Sequence, residues 1–147
     1  MVRIDYPEPQ FRIKKEGTKE FIFDSQRKKW VLLTPEEWVR QNFIQYLVQV
    51  KNYPASLIAV EKELMLGDLR KRFDVLVYNK DHQPWMMIEC KSTDIVLDES
   101  VIQQLLRYNL SIPVTYLVVT NGHYCLAGMR KEGRLEMVEE FPLFPYI

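Results

Sequence analysis

Arg72-Phe73-Asp74-Val75-Leu76-Val77 and Trp85-Met86-Met87-Ile88-Glu89-Cys90-Lys91 are the two stretches that decide how this chain reads. Each is an apolar run of strand length, and Asn79-Lys80-Asp81-His82-Gln83-Pro84 between them is rich in turn formers. Together they predict an antiparallel hairpin. Three charged residues, Asp74, Glu89 and Lys91, lie within or at the end of these apolar runs, where an isolated charge is costly. Glu89 and Lys91 are two apart and share a strand face; Cys90 points to the other. Asp74, on the partner strand, can lie beside them.

Outward from this hairpin the chain is ordinary in bulk. It has 147 residues, 47% hydrophobic and 27% charged, with 20 basic and 20 acidic side chains and no net charge. This composition fits one globular domain spanning 1–147, with an irregular arm over 1–20 and a core over about 30–138. Zero net charge argues against a general polyanion binder but leaves room for local basic patches at Lys14-Lys15, Arg27-Lys28-Lys29, Arg70-Lys71-Arg72 and Arg130-Lys131. No hydrophobic leader core or membrane-length apolar run occurs. Cys90 and Cys125 read as buried free thiols. A cytoplasmic protein without a membrane partner is the expectation.

Residues 20–23 and 29–33 read as short strands around a basic turn. Thr34-Pro35-Glu36-Glu37 is a helix start, with an N-cap Thr, Pro at the first helical position and Glu at the third. The helix is expected to run over 35–51. A short strand at 57–60 and a charged stretch lead into the hairpin. A helix over 99–109, a buried strand over 114–120, the Asn121-Gly122 turn and a strand from 123 to 128 complete the order, with strand character continuing to about 138. That order indicates a mixed sheet with a helix on each face.

Asp74 and Glu89 offer the hard oxygen ligands that Mg²⁺ or Mn²⁺ prefers, and a backbone carbonyl at Cys90 adds another donor. Lys91 can neutralise charge developing on a phosphate. The competing reading is a structural ion pair at a sheet end, and the residues alone leave both open. His82 and His123 have no partner at zinc spacing.

The order of segments adds a resemblance. Leu33-Thr34-Pro35-Glu36-Glu37-Trp38-Val39-Arg40-Gln41, Arg72 to Val77, Ile88-Glu89-Cys90-Lys91, Gln104-Leu105-Leu106-Arg107-Tyr108-Asn109 and Tyr116 to Gly122 together resemble the PD-(D/E)XK nuclease superfamily. Within it they are similar to the N-terminal nuclease domain of type I restriction enzyme R subunits. The resemblance runs from about Trp30 to Gly122. It implies an α/β restriction-endonuclease-like fold, a central mixed β-sheet flanked by helices. It implies a Mg²⁺- or Mn²⁺-dependent deoxyribonuclease, endonuclease rather than exonuclease, with Asp74 and Glu89 as metal ligands and Lys91 as the catalytic lysine. Gln104 and Tyr108, one helical turn apart, would shape the site and contact nucleic acid, although an ordinary helix-face pair fits the same spacing. The resemblance would make Glu37 the acidic residue of the first helix and a further metal contact, while the Thr34 capping box offers it a purely structural role. Arg72 is a candidate phosphate contact or a solvated basic edge.

DNA is the implied partner, with a homodimer and a restriction-modification or motor protein as further options. Nothing in the chain is long enough for a helicase, so the expected protein is a stand-alone domain. The alternative is a catalytically silent nucleic-acid-binding or assembly module of the same fold.

Overall fold

The computed structural model describes residues 1–109 and 112–146, except for the side chains of 105–109. A mixed sheet forms its centre. β1 (Val2–Arg3), β9 (Tyr124–Lys131), β8 (Tyr116–Thr120), β7 (Pro84–Cys90), β6 (Leu69–Tyr78) and β5 (Ile58–Leu66) follow one another across it, and β10 (Arg134–Val138) also pairs with β9. β7 and β8 are parallel, with Met86 opposite Tyr116 and Cys90 opposite Thr120; the other pairs are antiparallel. A parallel pair needs a crossover, and α2 (Glu99–Asn109) supplies it. A smaller antiparallel sheet joins β2 (Ile13–Glu16), β3 (Lys19–Asp24) and β4 (Lys29–Leu32).

α1 (Pro35–Gln49) begins as its sequence requires. Thr34 is extended, with φ −109° and ψ 165°, and its Oγ1 accepts the Glu37 amide at 3.0 Å. A cap of this kind is worth about 1 kcal/mol. The helix stops where Asn52 takes the left-handed conformation at φ 58°, and the Tyr53 amide returns to the Leu47 carbonyl at 2.9 Å. Asn tolerates that conformation at a helix end, and Pro54 then prevents continuation.

Side-chain alternation sends the two helices to opposite faces of the sheet. Val39, Phe43 and Leu47 of α1 pack with Val75, Val77, Ile88 and Val118. Ile102 of α2 packs with Leu97, Val119 and Leu126. Phe73, Leu76, Met87 and Leu117 form a third cluster with Ile112 and Val114. This mixed α/β arrangement matches the sheet and helix placement expected from the sequence.

Two stretches differ from expectation. The N-terminal stretch read as an irregular arm contains β1 and β2. The charged segment after residue 60 continues as strand, so β5 and β6 make a long hairpin around Gly67, whose φ is 63°. Opposite charges stabilise that ribbon where apolar burial is scarce: Arg70 meets Glu63 at 2.7 Å and Arg72 meets Glu61 at 2.8 Å. No helix among the described residues is long and apolar enough to cross a membrane.

Candidate active site

The β6–β7 turn is held by one side chain. Asn79 Oδ1 accepts the amides of Asp81 at 2.9 Å and Gln83 at 3.0 Å, and His82 takes the left-handed conformation at φ 59°. From that turn the strands pair as far as Val75 opposite Ile88. One further step of the same register would set Asp74 across from Glu89. The ladder stops there instead, and Asp74 Oδ2 accepts the Cys90 amide at 2.8 Å. A side-chain carboxylate thus takes the place of a strand carbonyl and is fixed in position. On β5, opposite Asp74, Glu61 adopts φ 51° between the Val60–Val75 and Lys62–Phe73 pairs. A left-handed glutamate inside a strand is a local strain of the sort found near functional sites.

Glu89 is half-buried beside Asp74. Burial, the Asp74 charge and a hydrogen bond with Asp74 push its carboxyl up to about 7, against the opposing pull of Lys91. Glu89 thus keeps its carboxyl beside the Asp74 carboxylate, and like charges this close oppose the ionised form of Glu89. Lys91 follows directly, its amide held by the Thr120 carbonyl of β8 at 2.8 Å. Cys90 points the other way, into the core beneath α1. Burial raises its thiol well above the usual range.

Glu37 is buried, and both its oxygens are engaged by cations and an amide. Arg27 Nη2 donates to Oε1 at 2.6 Å, Arg40 Nε to Oε2 at 2.9 Å and Gln41 Nε2 to Oε2 at 3.1 Å. Burial acts to raise this carboxyl, and the hydrogen bonds from Arg40 and Arg27 overcome it, so the net direction is down. Arg40 continues the chain of contacts, reaching Glu61 at 3.4 Å and Asp74 Oδ1 at 3.9 Å. Arg27 also pairs with buried Asp24. An ion relay thus runs from the β3–β4 turn through α1 to Asp74 in the middle of β6. Sequence reasoning missed Arg27, Arg40 and Glu61. The available signals were the three-residue spacings of Asp24 to Arg27 and Glu37 to Arg40.

Glu36 was missed as well. It is exposed at the start of α1, and its charge helps to raise Glu89. Of the two neighbouring glutamates, Glu37 faces the arginines while Glu36 is felt at the carboxylate pair. Arg72 is exposed and paired with Glu61. Gln104 is exposed on α2, and the side chain of Tyr108 lies outside the described residues. A concavity of about 660 Å³ lies apart from the carboxylates, between α2 and β10, lined by Leu97, Ile102, Leu126, Leu135 and Met137.

The donor set suits a hard divalent cation. Among the described residues no group of three or more His, Cys, Asp or Glu side chains converges as a metal cage. Mg²⁺ commonly takes one or two carboxylates and completes its shell with water and phosphate, and Asp74 with Glu89 would be such a pair. A search of curated proteins finds no match. A family model does match, over residues 35–142, and that span contains α1, both carboxylate-bearing strands, Lys91 and α2. The chain belongs to the family described as type I restriction enzyme R protein N terminus.

Proposed function

We propose that this chain is a metal-dependent deoxyribonuclease of restriction-endonuclease-like fold, with a PD-(D/E)XK site formed by Asp74, Glu89 and Lys91. The observation that carries the proposal is the meeting of Asp74 and Glu89 at the point where the β6–β7 ladder opens, with Lys91 next along the strand. Family membership supports the nuclease reading, because the family is the N terminus of a restriction enzyme subunit.

Asp74 and Glu89 would hold Mg²⁺ or Mn²⁺, with the Cys90 carbonyl as a further donor. When bound, the cation lowers the pKa of a ligated water and offsets charge on the phosphate. The protein's own part is positional. The Cys90 amide fixes Asp74, and Arg40 lies 3.9 Å from Asp74 Oδ1. Glu37 acts through Arg40. The Lys91 ammonium would offset the charge that develops as water adds to phosphorus and the phosphorus–oxygen ester bond breaks, leaving a phosphate monoester and a free hydroxyl. Arg72 and Gln104, both exposed, are available to the nucleic acid flanking that bond. A homodimer would bring two such sites to the two strands of a duplex, and a motor or modification partner would deliver the substrate.

The test is incubation of supercoiled plasmid with purified protein and Mg²⁺ or Mn²⁺, beside Lys91→Ala. Nicking or linearisation by wild type, reduced by at least ~100-fold in the variant, is expected from the usual worth of a group that stabilises transition-state charge. Equal cutting by both removes Lys91 from the mechanism. Metal binding without cutting by either protein favours the silent binding module.

A further inference from the structure

The small sheet β2–β3–β4 lies ahead of the family-matched span and has a surface that the carboxylate site does not use. Residues 12–32 hold seven Lys or Arg and three Asp or Glu, a local charge of +4 in a chain whose total is zero. Alternation divides the sheet into two faces. Ile22 and Asp24 point inward and are fully buried. Phe21, Phe23 and Trp30 point the other way and stay half-exposed. The register sets Lys14 across from Phe21, and Phe23 across from Trp30. None of these three rings joins the hydrophobic clusters of the described residues.

Cations lie over the rings. Lys14 Nζ is 4.6 Å from the Trp30 centroid, and the Arg12 guanidinium carbon is 5.0 Å from Phe23 and 5.3 Å from Trp30. Three large aromatics on the outer face of a short ribbon require a reason, since such positions ordinarily carry polar side chains. Lys14 also meets Glu16 at 3.0 Å, an exposed pair of little net worth that a phosphate can displace. Rings interleaved with basic side chains are the surface on which unpaired bases stack while the backbone is neutralised. A duplex buries its base faces and could use only the cations.

The ribbon is held firmly to the body. Gln26 Nε2 donates to the carbonyls of Ala55 and Ile58, each at 2.8 Å, and Arg27 joins the relay that ends at Asp74. We infer that the β2–β3–β4 face is a stacking platform for single-stranded nucleic acid, with Trp30, Phe23 and Phe21 as the base contacts and Arg12 and Lys14 as the phosphate contacts. This deepens the nuclease reading by naming an unpaired strand beside the cut as part of the substrate.

The test is fluorescence anisotropy with a labelled 20-nucleotide oligothymidylate in EDTA, so that binding is read without cleavage. Trp30→Ala should weaken binding by ~10-fold and Lys14→Gln by a smaller factor, from the usual worth of one base stack. Trp30→Phe should restore most of the affinity, and Lys131→Gln, at the C-terminal end of β9, should leave it unchanged. Thermal melts confirm that each variant is folded. No binding by wild type, wild-type affinity in Trp30→Ala, equal loss in Lys131→Gln, or equal competition by an unlabelled duplex would each overturn the platform. The nuclease reading stands or falls separately, on plasmid cleavage.

Discussion

Asp74 accepts the Cys90 amide at 2.8 Å because β6 and β7 part at that position and the amide has no strand carbonyl to meet. The same parting exposes Glu89 to Asp74. A charge inside an apolar strand was therefore legible in the sequence, since an unpartnered one would be too costly to keep. Arg27, Arg40 and Glu61 were not legible as a set, because they come from a turn, a helix and a strand that only the tertiary fold joins. Thr34 is the N-cap its sequence indicates and accepts the Glu37 amide, but the Glu37 carboxylate, expected to reach back to the Thr34 backbone, faces two arginines instead. Replacing one partner of such a buried group leaves the others unpaired, so Glu37→Gln should cost about 3 kcal/mol at pH 7. The Glu37 carboxyl is held below its ordinary value, so its contribution is present above the unfolded-state pKa and lost as pH falls through the folded one. Urea unfolding at several pH values should show the gap between wild type and variant closing in acid. A gap that is constant with pH would contradict the charged pairing.

Elements bounded by strong local chemistry kept their sequence-level identity. α2 occupies 99–109, as its pattern indicates, and α1 starts at Pro35 behind its Thr34 cap. The β5–β6 ribbon was underestimated because its support is cross-strand charge pairing, which has no apolar period to detect. The Asn121-Gly122 turn shows an element doing more than reversing the chain. Asn121 Nδ2 donates to the Ile95 carbonyl at 2.9 Å and so ties down the loop that follows Lys91. Gly122 has φ 91°, and a Cβ there would lie 3.2 Å from Val39 of α1 and 3.3 Å from Thr93. Gly122→Ala therefore combines backbone strain with crowding and should lower stability by about 2 kcal/mol. A thermal melt indistinguishable from wild type would show that the turn is not a tight junction.

At the scale of the molecule, the sheet brings together residues separated by long stretches of chain. α1 covers one face and α2 the other, and the carboxylates meet where the β6–β7 pairing stops. The sequence announced the mixed sheet through the order of its apolar runs, but not the parallel β7–β8 pairing, which depends on a crossover through α2. It also could not show that the Lys14 and Arg27 clusters share one small sheet and its turn, because register is a tertiary outcome. The nuclease account assigns the metal to Asp74 with Glu89, and the chemical step to Lys91. Calorimetric titration with Mn²⁺ of wild type, Asp74→Asn, Glu89→Gln and Lys91→Ala tests that division of labour directly. Wild type and Lys91→Ala should bind, while Asp74→Asn and Glu89→Gln should lose at least ~10-fold in affinity with the loss of a charged ligand. Equal Mn²⁺ binding by all four proteins, or by none, would contradict a metal site where the β6–β7 pairing stops.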